Sequence, residues 1–311
     1  MSHDSQLPGT IPADTFPAGF ANVEDRTARL HSLVAAPEIV VAPGAFDCIT
    51  ARLVDKAGFP AVYITGSGVS MSALGAPDVG LMSYGEIFDR VQRIADVVSI
   101  PVIADADTGY GGPLNIIRTV RDFERAGVSA VQIEDQAWPK KCGHEPGRQI
   151  VQVAEMVGRI KAAVDARTDG IAIVARTDAR STEGLDAAIE RAHRYGEAGA
   201  DILFLESPES EDELKTLNRQ LEMPTMANMV EGGRTPVLPY PKLQQIGFSL
   251  AIFPNSLTRL LGNTGAALMA ELKNTGTTAG MAESMLDHKG LWDLFDNQRW
   301  RTLEDRYGTA K

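Results

Sequence analysis

Short runs of apolar, often β-branched residues recur along the chain, and each predicts a buried strand. The runs are continuous and do not alternate between apolar and polar positions, which is typical of parallel strands covered on both faces. Eight such strands are predicted, at residues 39–42, 61–65, 102–105, 130–134, 171–176, 202–206, 225–228 and 249–253.

Most of these strands are separated by enough residues for a helix, and several predicted helices end with the same pattern. In the segments KAGFPAVYI, RAGVSAVQI, EAGADILFL and QIGFSLAIF, a glycine that stops a helix shortly precedes a buried strand. Eight strands that alternate with helices predict an α/β fold, and more specifically a closed (β/α)8 TIM barrel instead of an open doubly wound sheet.

The segments at the two ends of the chain lie outside this repeat. Residues 1–22 carry three prolines among small polar residues, and we interpret them as a flexible N-terminal arm. Residues 23–311 are predicted to form a single barrel domain, which begins with a helix near residues 27–36 and has C-terminal helices from about residue 260. An apolar face on the last helices predicts contact with another subunit. It consists of Leu291, Trp292, Phe295, Trp300 and Leu303.

Polar residues are concentrated directly after the predicted strands. In chain order the strand ends read PGAFD, ITGSG, ADADTG, IEDQ, ARTDA, LESPE, ANMVEGG and FPNS. Barrel enzymes carry their chemistry on the loops at the carboxyl ends of the strands. A barrel without a site has no reason to collect polar residues there, so the pattern predicts an active site at that end.

Composition and charge exclude several partners. The 311 residues have a formal net charge of −11 and no run of Lys or Arg, so nucleic acid and acidic membranes are poor partners. No apolar stretch approaches the roughly 20 residues that span a bilayer, and the N-terminal segment lacks the features of a signal peptide. Two cysteines, Cys48 and Cys142, are too few for a disulfide framework, so we expect a cytoplasmic protein.

Asp105 and Asp107 follow the third strand and are candidate metal ligands. Because side chains two residues apart on a strand point to the same side, both carboxylates face one site. Mg²⁺ is commonly held by one or two carboxylates together with water and substrate oxygens. The alternative is that a loop aspartate caps the next helix. Other acidic residues at strand ends are candidates to join the cluster: Asp47, Asp78, Glu134 and Asp135.

The loop after the fourth strand has the sequence KKCGH and contains Lys140, Lys141, Cys142 and His144. Two ammonium groups and an imidazole favour the thiolate form of Cys142, so this thiol is a candidate for proton transfer. Zinc is disfavoured, because a Cys-x-His pair with no other cysteine nearby lacks ligands. From the residues alone, a flexible basic loop with an incidental cysteine is an equally good interpretation.

Groups for an anionic substrate also lie at the strand ends. Arg176 ends a buried strand, and its planar guanidinium matches a carboxylate. The alternative is a structural ion pair with Glu206 or Asp178. Arg180 and Arg259 are further candidate cations. The segment TGSG offers backbone N–H groups and hydroxyls to an anion, but it lacks the GxGxxG and GK[ST] motifs, so no nucleotide is predicted.

In combination, the segments YITGSG, ADADTGYGG, QIEDQ, KKCGH, ARTDA and NMVEGGRTP resemble the isocitrate lyase / phosphoenolpyruvate mutase superfamily over about residues 42–259. The sequence is most similar to members of the type of 2-methylisocitrate lyase, 2,3-dimethylmalate lyase and petal death protein. KKCGH-type loops are typical of the lyase branch, whereas the phosphonate-forming mutases typically lack this cysteine. The resemblance implies a homotetramer in which paired subunits exchange their C-terminal helices.

The resemblance also implies roles for individual residues. Asp105 and Asp107 would hold Mg²⁺, for which Mn²⁺ is a substitute, and Cys142 would protonate the departing carbanion. The implied catalytic residues are Cys142, Lys140, His144 and Glu134. The implied substrate-binding residues are Tyr63, Thr65, Gly66, Ser67, Asp78, Gly143, Arg176, Glu206, Asn228 and Arg259.

The activity implied by the resemblance is retro-aldol cleavage of a 2-hydroxy di- or tricarboxylate, of the 2-methylisocitrate or 2,3-dimethylmalate type, to pyruvate or a similar 2-oxo acid and a carboxylate. Two departures favour a dicarboxylate. Glu145 stands where methylisocitrate lyases tend to have a cation, and a C-terminal arginine of those lyases aligns near His288. The alternatives are oxaloacetate hydrolysis or carboxyphosphonoenolpyruvate phosphonomutase chemistry in the same pocket and, more remotely, a non-catalytic barrel.

Overall fold

The computed structural model describes residues 23–143, 145 and 147–308. The predicted N-terminal arm and His144 therefore lie outside the described residues. Eight parallel strands pair in chain order, and the last pairs with the first to close a barrel. The strands are β1 (Val40–Ala45), β2 (Val62–Ile64), β3 (Val102–Asp105), β4 (Ala130–Glu134), β5 (Ala172–Thr177), β6 (Ile202–Leu205), β7 (Thr225–Asn228) and β8 (Leu250–Phe253).

Helices surround the barrel and continue beyond its last strand. This arrangement confirms the predicted (β/α)8 fold with a C-terminal helical extension. The helices are α1 (Val23–Ala35), α2 (Cys48–Lys56), α3 (Gly66–Leu74), α4 (Tyr84–Ala95), α5 (Pro113–Arg125), α6 (Val153–Ala166), α7 (Leu185–Glu197), α8 (Glu211–Gln220), α9 (Tyr240–Ile246), α10 (Ser256–Thr275), α11 (His288–Leu294) and α12 (Asn297–Tyr307).

The glycines that were predicted to stop helices adopt left-handed backbone conformations. Gly199 follows α7 with a φ of +105°, and Gly247 follows α9 with a φ of +114°. Residues with a Cβ rarely adopt these values, which is why the helices end there and the chain turns into the next strand.

Two hydrophobic clusters flank the strands. One fills the inside of the barrel and includes Ile103, Val174 and Phe204, together with Leu30 and Val34 of α1. The other lies between the outer face of the strands and the surrounding helices. Because α1 contributes to the inner cluster, it closes the amino end of the barrel. The carboxyl ends of the strands are left to form a site.

The C-terminal extension packs partly on the barrel. Arg52 of α2 donates hydrogen bonds to the carbonyl of Leu294 and forms an ion pair of 2.5 Å with Asp296, whose side chain is 10% exposed. Among the described residues, none of the 20 positions of α10 is buried. Within the same part of the chain, no helix has the length and apolar character needed to cross a membrane.

Candidate active site

The carboxyl ends of the strands surround a pocket that is lined by most of the residues predicted for a site. They come from the ends of five of the eight strands and from the loop after β4, so the fold brings together positions that are far apart in sequence. The predicted residues in the lining are Tyr63, Thr65, Ser67, Asp78, Asp105, Cys142, Gly143, Arg176, Glu206 and Asn228.

An acidic cluster with one buried cation lies beside this pocket. Lys140 Nζ is 2.5 Å from Asp78 Oδ1 and 2.6 Å from Asp107 Oδ1. Burial alone would lower the pKa of Lys140, but Asp107 and Asp78 outweigh it and raise this pKa well above its usual value. Burial raises the pKa of Asp107 to about 6, against the opposing effect of Lys140. Lys140 therefore stays charged and partly neutralises the cluster.

Asp105 and Asp107 fit a small, hard cation. A Cβ added to Gly66 would lie 2.7 Å from Asp105 Oδ2 and 3.5 Å from Asp107 Oδ1, so glycine leaves open the space on which the two carboxylates converge. Within the described residues, buried Glu134 Oε1 has no hydrogen-bond partner. The described residues contain no group of three or more His, Cys, Asp or Glu arranged around a metal. Two carboxylates completed by water and substrate are the donor set that suits Mg²⁺.

Two other acidic candidates do not belong to this cluster. Asp47 is the N-cap of α2 and accepts a hydrogen bond of 2.8 Å from the backbone N–H of Thr50, as a loop aspartate before a helix often does. Asp135 is fully buried, and its Oδ2 accepts hydrogen bonds from Thr177 Oγ1 at 2.7 Å and Tyr195 O–H at 2.8 Å. Their expected place in the cluster was therefore wrong, because both carboxylates are held by neighbouring donors.

Arg176 is held by carboxylates and also lines the pocket. Its Nε lies 2.9 Å from Asp178 Oδ2 and 3.4 Å from Glu134 Oε2, and its Nη2 lies 3.5 Å from Glu206 Oε2. Burial alone would lower the pKa of Arg176, but Asp178, Glu134 and Glu206 raise it well above its usual value. The structural ion pair and the position in the pocket therefore occur together, and the guanidinium stays charged.

Gly143 places the loop after β4 directly over Arg176. A Cβ at this position would lie 2.4 Å from Arg176 Nη2 and 2.9 Å from Glu206 Cδ, so a larger residue could not approach as closely. Ser207 Oγ donates a hydrogen bond of 3.0 Å to the carbonyl of Gly143. Cys142, the preceding residue, is reduced and lines the same pocket.

Two glutamates at the ends of β4 and β6 contact Arg176, which lies on β5 between them. Burial raises the pKa of Glu134 well above its usual value, although Arg176 opposes this effect, so Glu134 retains a proton more readily than an exposed glutamate. Asn228 Nδ2 donates a hydrogen bond of 3.0 Å to Glu206 Oε2.

The segment after β2 supplies hydroxyl groups. Tyr63 O–H donates to Gln132 Oε1 at 3.0 Å, and Ser67 Oγ donates to Asn255 Oδ1 at 2.9 Å. Burial, followed by Asp105, raises the pKa of Tyr63 well above its usual value. The phenol therefore remains a hydrogen-bond donor.

Besides Asp107, Glu134 and Lys140 of the acidic cluster, three described candidate residues lie outside the lining of the pocket. Gly66 begins α3 and lies next to the carboxylates of Asp105 and Asp107. Arg180 binds Glu213 instead, with Nη2 at 2.7 Å from Oε1, which makes its proposed role in substrate binding wrong. The side chain of Arg259 is exposed on the first turn of α10, so its role in binding stays a prediction.

Several residues of the site were not predicted from the sequence. Gln132 donates to Asp105 Oδ1 at 3.2 Å, and it precedes Glu134 by two positions on β4, so strand alternation was a signal for it. Asn255 follows β8 in the FPNS segment, another available signal. The pocket is also lined by Val230, Ile252 and Pro254, and apolar residues at strand ends carry no signal that separates them from the core.

Comparisons with known proteins place the chain in a family. A sequence model of the phosphoenolpyruvate phosphomutase family matches residues 30–273. The chain belongs to this family. It is 47% identical over 285 residues to the 2,3-dimethylmalate lyase of Eubacterium barkeri, which covers 91% of this chain and 99% of that protein. It is 41% identical to the 2-methylisocitrate lyase of Aeropyrum pernix, over 85% of each chain.

Solved structures agree with this family. A structure of oxaloacetate acetylhydrolase with 3,3-difluorooxaloacetate has a TM-score of 0.88 and 30% identity, over 92% of this chain and 98% of that chain. A structure of 2,3-dimethylmalate lyase, described as a PEP mutase/isocitrate lyase superfamily member, has a TM-score of 0.87 and 34% identity, over 93% of this chain and 97% of that chain. The resemblance predicted from the sequence segments is confirmed.

Proposed function

We propose that this protein is a divalent-metal-dependent carbon–carbon lyase that cleaves a 2-hydroxy dicarboxylate of the 2,3-dimethylmalate type. The products would be pyruvate or a similar 2-oxo acid and a second carboxylate. One observation carries the proposal: Asp105, Arg176 and Cys142 meet at one pocket. They supply a metal ligand, a carboxylate-binding cation and a proton donor, which are the groups that this cleavage needs. The similarity to named lyases supports the same reaction.

Asp105 and Asp107 would hold the cation, which we propose is Mg²⁺ with Mn²⁺ as a substitute. When bound, this metal stabilises negative charge on the oxygens of the 2-oxo acid. Arg176 would bind a substrate carboxylate through its planar guanidinium. The hydroxyls of Thr65 and Ser67 line the same pocket and would orient the oxygen atoms of the substrate.

The chemical step that we propose begins when the 2-hydroxyl group loses its proton to a base in the site. The C2–C3 bond then breaks, its electron pair passes to C3, and C2 becomes the carbonyl carbon of the 2-oxo acid. Cys142 gives the proton of its thiol to C3. The thiolate later recovers a proton from solvent and the base releases the hydroxyl proton to solvent, so that no net proton is consumed. We propose that Lys140 and Glu134 take part in this first proton transfer. The ammonium group of Lys140 contacts Asp78 and Asp107 and keeps these two carboxylates partly neutralised.

The lining of the pocket supports a substrate with alkyl groups. Val230, Ile252 and Pro254 form its apolar part, and burial of methyl groups against such a surface contributes favourably to binding, by about 0.8 kcal/mol per buried carbon group. A third carboxylate at that surface would lose its hydration without a compensating cation. Together with Glu145 in place of a cation, this favours a dimethylmalate-type dicarboxylate over 2-methylisocitrate.

The experiment that tests the proposal is incubation of the purified protein and Mg²⁺ with separate candidate substrates, followed by NMR of the products. We expect 2,3-dimethylmalate to be cleaved with the highest kcat/KM, 2-methylisocitrate more slowly, and neither in the presence of excess chelator. The proposed function would be refuted if none of these hydroxy acids is cleaved to a 2-oxo acid and a second carboxylate.

Oxaloacetate hydrolysis is the second candidate, because the structure with a TM-score of 0.88 is that of an oxaloacetate acetylhydrolase. The product analysis separates the two activities, since hydrolysis of oxaloacetate yields oxalate and acetate. We propose that the lyase activity dominates, because the relative with 47% identity is named as a lyase and the lining includes Cys142 as a proton donor.

We further propose that the protein is a homotetramer in the cytoplasm. Large apolar side chains on α10 support an assembly, since Leu260 and Leu261 are each 60% exposed and Met269 is 57% exposed. The low cysteine content of the sequence supports a reducing compartment.

A further inference from the structure

Asp178, a buried carboxylate directly after β5, binds Arg176 through both of its oxygens and fixes the orientation of the guanidinium. Asp178 is fully buried, and its two oxygens accept hydrogen bonds from Arg176 Nε at 2.9 Å and Nη2 at 3.0 Å. Two parallel bonds between a guanidinium and a carboxylate define the plane and direction of the guanidinium. Asp178 therefore decides which edge of Arg176 faces the pocket.

The same carboxylate binds a residue that follows Cys142 by six positions. Arg148 Nη1 lies 2.5 Å from Asp178 Oδ1, and the side chain of Arg148 is 1% exposed. Among the described residues, Nε and Nη2 of Arg148 are buried without a hydrogen-bond partner. Within the part of the chain that the structure describes, the hydrogen bonding of the Arg148 guanidinium is therefore concentrated in Nη1, which contacts Asp178.

Asp178 also reaches the residue that directly precedes Cys142. Gln136 Nε2 donates to Asp178 Oδ1 at 3.3 Å and to the carbonyl of Lys141 at 3.0 Å. The backbone N–H of Lys141 donates to Gln136 Oε1 at 2.9 Å. The side-chain amide thus holds both backbone polar groups of Lys141, much as a neighbouring strand would.

These contacts converge on one buried negative charge. Burial alone would raise the pKa of Asp178, but Arg176 and Arg148 outweigh it and hold this pKa below its usual value, so the carboxylate is ionised. Replacement by a neutral side chain would leave two buried guanidinium groups with less compensation, which is costly in a dry environment.

We propose that Asp178 is a positioning residue that sets the place of Cys142 relative to Arg176. It acts through Arg148 on one side of Cys142 and through Gln136 and Lys141 on the other. The proposal rests on the proposed function only for the roles of Cys142 and Arg176. The placement itself is a property of the protein without substrate, and it can be measured separately.

The first measurement is the rate at which iodoacetamide alkylates Cys142 in a Cys48→Ser background, without substrate or metal. We expect Arg148→Gln and Asp178→Asn to change this rate by at least about tenfold, because each removes a charged, buried hydrogen bond that holds the segment. Arg148→Lys keeps the positive charge, so its rate of Cys142 alkylation should be closer to that of the parent. Arg52→Gln is the matched control, since it breaks a similarly buried ion pair with Asp296 and should leave the alkylation rate unchanged.

The second measurement is a comparison of steady-state constants for the best hydroxy-acid substrate. Arg148→Gln should lower kcat about tenfold or more with a smaller change in KM, since it displaces Cys142 and leaves the bidentate pair of Arg176 intact. Asp178→Asn should lower kcat and also raise KM, because Arg176 loses its orientation.

Alkylation tests the placement even if no hydroxy acid is cleaved, so failure of the proposed function is distinguishable from failure of this inference. Alkylation of Cys142 at the parent rate in both Arg148→Gln and Asp178→Asn, with circular dichroism confirming that both are folded, would overturn the inference. An equal change in Arg52→Gln would overturn it as well, because the effect would then be global. If the two variants do not fold, the same comparison is made with Gln136→Ala, which removes the amide that joins Asp178 to Lys141. Alkylation of Cys142 at the parent rate in Gln136→Ala would then overturn the inference.

Discussion

Lys140 allows several carboxylates to share a small volume at the mouth of the barrel. Its ammonium group contacts Asp78 and Asp107, and Asp105 lies next to them in the site. Three carboxylates and one ammonium group leave a formal charge of −2, which a divalent cation would balance. The repulsion that remains is thus itself an argument for a metal site.

Asp105→Ala should abolish metal-dependent turnover and leave the fold intact. The carboxylate lies at the end of β3, where its loss removes a metal ligand without opening the hydrophobic core. Turnover is measured against Mg²⁺ concentration, with circular dichroism as the check on folding. Asp89→Ala, at an exposed position of α4, is the matched control and should behave as the parent. Full activity of Asp105→Ala, or of the parent in excess chelator, would contradict the assignment.

Cys142→Ser should lower kcat by about 10²–10⁴-fold, the range typical for the loss of a general acid, with a much smaller effect on KM. Serine keeps the size and a hydrogen-bond donor, but its hydroxyl is a far weaker acid than a thiol. The measurement is steady-state kinetics with the best hydroxy acid, and Cys48→Ser serves as the control because Cys48 begins α2, away from the pocket. Cleavage by Cys142→Ser at the parent rate would remove the role of the thiol.

The sequence predicted the residues of the site where spacing determines direction. Asp105 and Asp107 were identified because residues two apart at a strand end face the same side. Spacing could not reveal that Asp135 accepts from Tyr195, since that contact joins two elements 60 positions apart. Arg180 was assigned to the substrate because the sequence does not show its partner Glu213 on α8.

At the scale of elements, the strands were predicted with nearly their observed bounds because buried parallel strands have an apolar signal. The exception is β1, which continues to Ala45 although its PGA segment was interpreted as the start of a loop. A Cβ at Gly44 would lie only 2.1 Å from the carbonyl oxygen of Pro254. Glycine here permits two backbones to approach closely, a tertiary requirement that no local pattern shows.

Gly66, the first residue of α3, lies next to Asp105 and Asp107, so a larger residue at this position is expected to weaken metal binding. In Gly66→Ala the new Cβ would lie 2.7 Å from Asp105 Oδ2, so the carboxylate must move. We expect the dissociation constant for Mn²⁺, measured by electron paramagnetic resonance, to rise about 10- to 100-fold, as for other changes around metal ligands. A Cβ at Gly85, in the first turn of α4, would have no atom within 4 Å. The control variant Gly85→Ala should therefore leave the dissociation constant for Mn²⁺ unchanged. Equal affinities in both variants would contradict the placement of the metal.

At the scale of the molecule, the two ends of the barrel have different tasks. Leu30 and Val34 of α1 pack into the inner cluster and close one end, while the polar strand ends occupy the other. The polar end was predicted from the strand-end segments, whereas the packing of α1 into the opposite end was not, because the sequence predicted only a helix there. The path of the C-terminal extension could not be predicted from the sequence, because the contacts of Arg52 with Leu294 and Asp296 join residues more than 240 positions apart.

The extension predicts an assembly. With Leu261 60% exposed and Trp300 52% exposed, we expect light scattering at micromolar concentration to give four times the 33.4 kDa mass of the chain. Removal of residues 276–311 should shift the protein toward smaller species, because it removes part of the apolar surface. A monomeric parent would show that this surface does not support assembly, and it would also exclude the exchange of helices between subunits.

We propose that the pocket cleaves a carbon–carbon bond in an alkyl-substituted 2-hydroxy dicarboxylate. The most direct test is NMR of the reaction of 2,3-dimethylmalate with the parent protein and Mg²⁺, with oxaloacetate incubated in parallel. We expect 2,3-dimethylmalate to yield pyruvate and propionate, at a kcat/KM above that for oxaloacetate, and we expect neither product to form in excess chelator. An intact 2,3-dimethylmalate sample beside efficient conversion of oxaloacetate to oxalate and acetate would contradict it.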